Sequence, residues 1–479
     1  MLVTSEVIKK SGIQFGTSGA RGLVVQFTPE VCEAFTHAFI SGLEKNFPIR
    51  CIAIAIDNRP SSSNIARSCI AALQQRSIDY VYYGVIPTPA LAYSAIQDGI
   101  PCIMVTGSHI PFDRNGLKFY TPNGEITKTD EQAIFNSNHQ FSPSGYFPEL
   151  IVNPEAEKKY KERYTDFFDN KILAGKRIGI YEHSSAGRDI YAGLFSALGA
   201  EVISLERSDE FVPIDTEAVS EEDKIKANTW SKQHLLDAIF STDGDGDRPL
   251  VADEHGQWLR GDILGMLCAE AMGIEALAVP VSCNSNIERC TQFKTVKRTK
   301  IGSPYVIAEF NVMSAHYSSI AGFEANGGYL LGSDIQINGK VLKALPTRDA
   351  VLPALMLFSS AKESGIASLV RSLSDRHTYS DRVQDFATEF SERIIKFGMS
   401  NPESLIRKIG FESDSVISTD VTDGLRIYLS SGDIVHLRPS GNAPELRCYS
   451  ESSSYEKAKK IVEFVLFRIN SIEFEKSFI

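Results

Sequence analysis

Two segments of the chain repeat the same order of hydrophobic and polar positions. In the first, the apolar run CIAIAI at 51–56 precedes a stretch of helical spacing at 61–75, and the β-rich run YVYYG follows at 80–84. A short apolar run is typical of a buried strand, so this order predicts a β-α-β unit. The same order returns over 177–205, and in both copies a serine cluster precedes the helix, where hydroxyls can cap free amide groups.

A weaker third copy lies at 276–330, where ALAVPVSC, a helical stretch and SIAGFEA follow one another. Repeated β-α-β units predict several α/β domains with largely parallel sheets. The hydrophilic stretch at 148–162 and the turn DEHG at 253–256 are typical of domain boundaries.

The pattern changes after about Ser374. Residues 416–440 contain three β-type runs separated by turn signals, and an amphipathic stretch at 454–470 follows. This order predicts a smaller C-terminal α+β domain of antiparallel character.

The size and composition are those of a multidomain globular protein. At 479 residues the chain is too long for one compact core, and usual domain sizes predict about three or four domains. The hydrophobic fraction of 43% and the charged fraction of 23% are ordinary. The net charge of -11 argues against general binding to nucleic acid or anionic membranes, so an anionic substrate needs locally placed basic groups.

Other features of the chain indicate its compartment. No run reaches 18 consecutive apolar residues, and the start MLVTSEVIKKSG lacks the apolar region of a secretory signal. The eight cysteines form no CxxC pair and no tight zinc spacing. We therefore expect a cytoplasmic protein whose cysteines are mostly small buried hydrophobes.

The segment MVTGSHIPFDRNGLKFY places Ser108 between a glycine and His109. Glycine allows tight backbone geometry, so the serine hydroxyl can be displayed on a loop. Taken alone, the segment favours an ordinary turn rich in Gly, Pro and Asn.

The segment STDGDGDRPL carries aspartates at alternate positions, Asp243, Asp245 and Asp247, with only glycine between them. Such carboxylates can converge on one hard cation, Mg²⁺ or Ca²⁺. An EF-hand is the main rival, since Glu254 stands at loop position 12, but Arg248 occupies position 6, where an EF-hand needs glycine. A plain acidic turn is the other alternative.

The segment HLRPSGNAPELRCYSE, at a predicted strand-to-turn junction, carries Arg438, Ser440, Gly441 and Asn442. Turn amides together with hydroxyl, amide and guanidinium donors form a cradle for an oxyanion. A Pro/Gly turn flanked by exposed arginines is the alternative.

The segment GFEANGGYLLG offers one carboxylate, Glu324, among small residues. A carboxylate can accept hydrogen bonds from two neighbouring sugar hydroxyls, and glycines let a ring approach closely.

Taken together, these segments resemble the α-D-phosphohexomutase family, which contains the bacterial phosphomannomutases and phosphoglucomutases. The resemblance covers nearly the whole chain, and its specificity comes from the full set of motifs in the family's order. The motifs are FGTSGARG at 15–22, IDNRPSS at 56–62, TGSH at 106–109, DGDGDR at 243–248, the glutamate loop at 322–328 and RPSGNAP at 438–444.

The resemblance implies four domains around a central cleft, three related α/β domains with mixed, largely parallel sheets and a smaller C-terminal α+β domain. The expected domains are 1–152 with the phosphoserine loop, 153–254 with the metal-binding loop, 255–374 with the sugar-binding loop and 375–479 with the phosphate-binding loop.

The resemblance also implies that Ser108 carries a phosphoryl group and that this phosphoserine binds Mg²⁺ together with Asp243, Asp245 and Asp247. Phosphoryl transfer is catalysed chiefly by alignment and by neutralising charge on the equatorial oxygens, so a metal with several cations suits it.

The resemblance further places Arg21, Lys118 and Arg248 around the transferring phosphoryl group. Lys118 is the expected general base or acid at the sugar hydroxyl. His109 is expected either to orient the phosphoserine or to be a structural loop residue.

A second anchor must hold the phosphate that is not reacting, and Glu324 is expected to grip the ring hydroxyls. The residues implied to bind the sugar phosphate are Gly302, Ser303, Glu324, Asn326, Arg438, Ser440, Gly441, Asn442 and Arg447. Asn326, Gly327 and Gly328 replace a serine-glycine-histidine run of many members, and Ser303 stands where some have histidine or aspartate, so the resemblance leaves the sugar open.

The activity implied is interconversion of mannose 6-phosphate and mannose 1-phosphate, with glucose phosphates as candidate further substrates and hexose 1,6-bisphosphate as intermediate and activator. Mutases specific for glucose or glucosamine phosphates are the alternatives within the family, although the TGSH loop is less similar to glucosamine mutases. Outside it stand a magnesium-dependent sugar phosphatase and a calcium-binding protein. Small-molecule sugar phosphates are the expected partners, without nucleic acid or membrane, and a monomer or homodimer is expected.

Overall fold

The structure is a computed structural model that describes residues 1–16, 19–361, 364–373, 376–439 and 445–471. Its sheets divide the chain into four consecutive units, each with helices packed on a central sheet. In the described part of the chain, no helix has the length and apolar character needed to cross a bilayer.

The first unit has a mixed sheet in the order β2-β3-β7-β6-β4-β5, with β8 paired to β7. Its strands are β1 (Leu2–Val3), β2 (Gln14–Phe15), β3 (Ala20–Leu23), β4 (Cys51–Ile56), β5 (Asp79–Val85), β6 (Cys102–Val105), β7 (Arg114–Thr121), β8 (Gly124–Glu125) and β9 (Gln140–Phe141). Its helices are α1 (Thr4–Ser11), α2 (Pro29–Leu43), α3 (Ser62–Gln75), α4 (Thr88–Asp98) and α5 (Lys128–Phe135). The predicted β-α-β unit is present as β4-α3-β5, with parallel strands.

The second unit has a four-stranded sheet in the order β11-β10-β12-β13. Its elements are α6 (Glu155–Thr165), β10 (Arg177–His183), α7 (Arg188–Ala197), β11 (Glu201–Arg207), α8 (Glu221–His234), β12 (Ala238–Thr242) and β13 (Pro249–Ala252). The second predicted repeat is β10-α7-β11, again parallel. Strands β12 and β13 flank the aspartate loop, which excludes an EF-hand, because that motif needs a helix on each side.

The third unit has the sheet order β15-β14-β16-β17-β20 and a separate hairpin, β18-β19. Its strands are β14 (Ala276–Pro280), β15 (Thr295–Thr299), β16 (Ile320–Phe323), β17 (Tyr329–Leu331), β18 (Ile335–Ile337), β19 (Lys340–Leu342) and β20 (Leu345–Asp349). Its helices are α9 (Gly261–Ala271), α10 (Ser303–Met313), α11 (Val351–Ser360) and α12 (Ile366–Arg371). As in the first two units, three parallel strands continue into antiparallel neighbours.

The fourth unit is antiparallel throughout its described sheet, in the order β21-β25-β24-β23-β22, which confirms the predicted α+β character. Its elements are β21 (His377–Val383), α13 (Thr388–Ser400), α14 (Pro402–Lys408), β22 (Val416–Asp420), β23 (Leu425–Leu429), β24 (Ile434–Pro439), β25 (Leu446–Ser452) and α15 (Tyr455–Ile469).

The hydrophobic cores follow the same division. One apolar cluster continues through the first three units, from Ala53 on β4 through Phe240 on β12 to Phe323 on β16. The fourth unit has its own cluster, which includes Leu405, Leu437 and Val465. The C-terminal unit therefore has a hydrophobic core of its own. The bounds predicted for the four domains stay a prediction.

Candidate functional site

Ser108 lies in the loop that follows β6, with its side chain buried and its backbone in the left-handed region at φ 57°. Its amide donates a hydrogen bond of 2.7 Å to Thr106 Oγ1. A non-glycine residue at positive φ is strained unless its surroundings hold it, and such strain concentrates at functional sites.

Arg59 holds this loop in place. Its Nη2 donates to the Ser108 carbonyl at 2.8 Å, and its Nη1 donates to the carbonyls of Pro111 and Arg114. Asp57 pairs with Arg59 Nε at 3.1 Å and also accepts from Thr106 Oγ1. Both residues belong to the segment IDNRPSS at 56–62. This segment is one of the motifs that carry the family resemblance, but the sequence alone indicated no role for it.

The three aspartates lie in the tight loop between β12 and β13. One carboxylate oxygen of each lies within 4.8 Å of the others, and none of the three side chains is exposed. The glycines between them are required by space, since a Cβ at Gly244 would lie 2.7 Å from the Ser108 carbonyl oxygen. Ser108 Oγ donates to Asp243 Oδ2 at 2.6 Å.

The oxygens of this cluster fit a bound cation. Asp245 Oδ1 and Asp247 Oδ1 are buried and have no hydrogen-bond partner among the residues described. Buried polar atoms are normally paired, so two unpaired carboxylate oxygens beside a serine hydroxyl form the donor set of a hard divalent ion. The structure thus contains a buried metal-binding site.

Burial and mutual repulsion set the protonation of the three aspartates. Burial, reinforced by the two neighbouring carboxylates, raises the pKa of Asp243 to about 8. Burial alone would raise the pKa of Asp247, but Arg348, Lys118 and Arg248 outweigh it and hold that pKa below its usual range. The cluster is therefore short of positive charge at the Asp243 end, where the Ser108 hydroxyl lies.

Lys118, on β7, donates to Asp245 Oδ2 at 2.5 Å and to Asp247 Oδ2 at 2.6 Å. Arg248 directly follows the aspartate loop, and its Nε lies 3.8 Å from Asp243 Oδ2 and 3.7 Å from Asp247 Oδ1. These contacts bring both predicted cations against the carboxylate cluster.

His109 Nδ1 lies 2.9 Å from Arg248 Nη1. Because a guanidinium can only donate, Nδ1 is the acceptor. Burial, together with the charges of Arg248 and Arg21, holds the pKa of His109 well below its ordinary value. The His109 imidazole is therefore neutral. The fourth predicted residue of this group, Arg21, donates to the carbonyl of Gly107, the residue before Ser108.

Thr88, at the start of α4, donates to Asp245 Oδ2 at 2.5 Å through its hydroxyl. Its amide donates to the Asp245 carbonyl at 2.9 Å. The first unit thereby fixes the aspartate loop of the second, a contact that sequence reasoning missed.

The predicted sugar-binding loop, which carries Glu324, is linked to the three aspartates through Arg348. This buried arginine, on β20, donates to Asp247 Oδ2 through Nε at 3.0 Å and Nη2 at 2.9 Å. Its Nη1 donates to Glu324 Oε1 at 3.0 Å and to Ser303 Oγ at 3.1 Å. Sequence reasoning missed Arg348, although a charged Arg-Asp pair inside the apolar stretch LPTRDAVLPALML was a usable signal.

The remaining predicted residues of this loop have local roles. Gly302 has a φ of 132° and precedes α10, where Ser303 donates to Glu125 Oε2 at 2.7 Å. Asn326 accepts the Gly328 amide at 3.0 Å through its side chain and the Thr216 hydroxyl at 2.8 Å through its carbonyl.

Arg438 and Arg447 lie directly opposite each other on the neighbouring strands β24 and β25. Like charges in that register repel unless an anion or acid compensates. Asp423 pairs with Arg438 Nε at 2.9 Å and also accepts the Ile301 amide at 2.9 Å, next to the sugar loop. Ser440, Gly441 and Asn442 lie outside the described residues.

Glu217 is a half-buried acid beside the C-terminal sheet. It lines a cavity of about 160 Å³ together with Arg447. Burial raises the pKa of Glu217, and the charges of Arg260, Arg447 and Arg248 oppose that rise. Glu217 thus lies beside the C-terminal sheet, and no sequence motif pointed to it.

Three models of one family match separate parts of the chain. Phosphoglucomutase/phosphomannomutase alpha/beta/alpha domain I matches residues 12–141, alpha/beta/alpha domain III matches 260–379 and the C-terminal domain matches 395–466.

Individual proteins extend this similarity over the full chain. The phosphomannomutase of Salmonella muenchen is 59% identical over 468 residues, 98% of each chain. That of Sinorhizobium fredii is 40% identical over 478 residues, 96% of this chain and 99% of its own. A crystal structure of a phosphoglucomutase/phosphomannomutase family protein from Burkholderia thailandensis has the same fold, with a TM-score of 0.74, 18% identity and 98% of each chain covered. This chain therefore belongs to the α-D-phosphohexomutase family.

Proposed function

We propose that this chain is a phosphomannomutase that interconverts mannose 6-phosphate and mannose 1-phosphate through a phosphorylated Ser108. The observation that carries the proposal is the buried Ser108 hydroxyl, held 2.6 Å from Asp243 inside a carboxylate cluster that fits a metal. The 59% identity to a phosphomannomutase over nearly the whole chain supports mannose as the sugar.

The reaction class is isomerisation by phosphoryl transfer. Phosphorylated Ser108 gives its phosphoryl group to the free hydroxyl of the bound hexose monophosphate, and the Ser108 Oγ–P bond breaks as the new O–P bond forms. The product is hexose 1,6-bisphosphate, which turns over and returns its other phosphoryl group to Ser108. No water is consumed, and free bisphosphate serves as activator for molecules that have lost the phosphate.

Mg²⁺ is the metal that we assign to Asp243, Asp245, Asp247 and the phosphorylated Ser108, because these are oxygen ligands. When bound, the ion neutralises negative charge on the transferring phosphoryl group.

The protein supplies the rest of the positive charge and the proton transfer. Arg21 and Arg248 lie on either side of the phosphoserine loop and His109, and we assign them to the equatorial oxygens of the phosphoryl group. Lys118 is the candidate to take the proton from the attacking sugar hydroxyl and to return it. Neutral His109, held by Arg248, is a candidate to orient the phosphoserine.

Two phosphate positions are needed because the sugar reacts at both ends. Arg438, Arg447 and the 440–442 loop are the proposed anchor for the phosphate that is not reacting. Glu324 accepts the ring hydroxyls in both orientations, beside Gly302, Ser303 and Asn326. A hydrolase has no need of such a second anchor, which favours a mutase over a phosphatase. The eight cysteines, all free thiols in the structure, suit the cytoplasm.

A coupled assay with mannose, glucose and glucosamine 1-phosphates, Mg²⁺ and bisphosphate activator tests the proposal. We expect the highest kcat/KM with mannose 1-phosphate and no turnover for Ser108→Ala. Ser359→Ala, which removes a hydroxyl from α11, is the matched control and keeps full activity. A preference for glucose or glucosamine phosphate would replace the sugar assignment, and release of inorganic phosphate would indicate a phosphatase.

Phosphopeptide mapping of the purified protein tests the nucleophile independently. We expect phosphate on Ser108. Phosphate found only on another serine, or full activity of Ser108→Ala, would refute the mechanism.

A further inference from the structure

A cavity of about 580 Å³ lies between α4, α6 and the β18-β19 hairpin, on parts of the first three units that contain none of the proposed catalytic residues. Volumes of this size are typical of sites for small molecules. Its lining includes Tyr93 from α4, Arg163 from α6 and Lys340 and Lys343 from the hairpin segment.

Arg163 is the unusual feature of this cavity. Its side chain is buried, with 5% of the residue exposed, and none of its guanidinium nitrogens has a hydrogen-bond partner in the part of the chain that the structure describes. The guanidinium lies 4.8 Å from the ring centroid of Tyr93 and 5.7 Å from that of Tyr164. Stacking on aromatic faces stabilises the charge but satisfies none of its N–H donors.

The nearest buried carboxylate is already engaged. Asp349 accepts the hydroxyl of Tyr160 at 2.6 Å and also accepts the hydroxyl of Tyr164. Asp349 and Tyr164 raise the pKa of Arg163 against the lowering effect of burial, so the guanidinium stays charged. A buried charge without hydrogen bonds is costly, and native proteins keep one mainly where a ligand or water completes it.

Further cations surround the mouth of the cavity. Lys159 pairs with Asp98, and Lys340 donates to the Phe168 carbonyl at 3.2 Å, so each keeps donors to spare. The exposed Lys343 pairs with Asp334, which does not line the cavity. Glu162 and Asp166, both exposed, are the acids at the rim besides Asp98. Four cations and three acids thus line the cavity, and this small positive excess in a chain of net charge -11 favours an anionic occupant.

We propose that this cavity binds a small molecule bearing a phosphate or other oxyanion group, with Arg163 as its buried partner and Lys340 and Lys343 at the mouth. Arginine grips such groups bidentately, and its N–H donors are the groups left without partners here. Tyr93 lines the cavity beside the guanidinium, so the ligand reaches Arg163 past that ring.

The site is linked to the catalytic cluster by one helix. Tyr93 and Asp98 lie in the later turns of α4, and the first residue of α4, Thr88, donates to Asp245. An occupant therefore contacts the helix that holds the metal loop.

Inorganic pyrophosphate is the probe, titrated into the full-length protein by isothermal calorimetry in the presence of EDTA. We expect two classes of site in wild type, one in the catalytic cleft and one in this cavity. Arg447→Gln weakens the first and leaves the second. Arg163→Met weakens the second by at least about tenfold, as loss of a charged hydrogen bond predicts, and leaves the first.

Lys340→Ala/Lys343→Ala changes only exposed side chains and should still fold, and it is expected to weaken the second class several-fold. Lys294→Ala/Lys297→Ala, at and just before β15, removes the same charge elsewhere and is expected to change neither class. If Arg163→Met does not fold, the two lysine pairs decide. A single class of site that only Arg447→Gln weakens, or equal effects of the two lysine pairs, would overturn the proposal.

Discussion

The two regions proposed to handle phosphate in this protein are built in opposite ways. Around Ser108 the side chains are almost fully buried, and short contacts join serine, aspartates and lysine into one cluster. On the C-terminal sheet, the side chains of Arg438 and Arg447 are 15% and 35% exposed. That sheet packs on a hydrophobic core of its own.

This difference matches what each region must do. Phosphoryl transfer requires charges that are already in place, because reorganising them during the reaction costs free energy. An anchor that receives a different phosphate in each half of the reaction must release its ligand, which suits the partly exposed arginines of the C-terminal sheet. A fixed, buried centre and a more exposed anchor therefore suit the two roles in the proposed reaction.

The most damaging change to the fixed centre is loss of a metal ligand. Asp247→Asn should lower kcat by roughly 10³-fold or more, because it removes a negatively charged ligand of the metal and one of the two carboxylate partners of Lys118. Steady-state assays measure this, and EDTA should reproduce the loss reversibly in wild type. Asp209→Asn, at an exposed ion pair, is the control and should be neutral. Retention of more than a tenth of the activity in Asp247→Asn would show that the centre does not depend on this cluster.

Arg348→Met breaks the link between the metal loop and the sugar loop. Removing one partner of a buried ion pair costs about 3–5 kcal/mol, so we expect a large loss of stability by urea unfolding together with a lower kcat. Arg407→Met on exposed α14 is the matched control. Unchanged stability would mean that Arg348 is not a structural link.

The anchor should respond differently. Arg447→Gln is expected to raise KM by about 10- to 100-fold, because a charged hydrogen bond contributes about 1.5–3 kcal/mol. The effect on kcat should be smaller and stability nearly unchanged, since the side chain is partly exposed. A fall in kcat with KM unaltered would place Arg447 in the chemistry and erase the contrast between the two regions.

Acid should weaken both regions through buried histidines. His183 Nε2 donates to the Thr242 carbonyl before the aspartate loop, and His436 Nε2 donates to the Asp423 carbonyl beside the anchor. Burial lowers the pKa of each to about 4 from the ordinary value of 6.5. The unfolded chain therefore binds protons that the native state does not, and stability falls as pH drops from about 6.5 towards 4.

Thermal unfolding across that pH range measures this effect. His183→Gln and His436→Gln should each flatten the pH dependence of the melting temperature relative to wild type. His316→Gln, at an exposed turn, should leave it unchanged. If the melting temperature depends on pH equally in wild type and all three variants, these histidines are not the source of the loss of stability in acid.

Local features of the chain were predictable because they depend on neighbours in sequence. Apolar runs and helical spacing predicted β4-α3-β5 and β10-α7-β11, and turn signals separated the strands of the C-terminal sheet. The alternation of glycine and aspartate in DGDGD predicted a metal-binding loop, because this local spacing is sufficient for three carboxylates to converge on one ion. Glu217 was missed because an isolated charged residue has no pattern that distinguishes a buried link from a solvated side chain. Arg348 was missed although a charged Arg-Asp pair inside an apolar stretch signalled it, because the sequence does not show which distant carboxylates it meets.

What the sequence determined by itself is the set of strands, helices and loops, together with the residue types that each loop presents. Only the tertiary structure decided which loops meet. Ser108 and Asp243 are 135 positions apart, and Asp247 and Arg348 are 101 apart. Such contacts follow from the packing of separate sheets against a shared core, which depends on the whole chain at once and leaves no local trace.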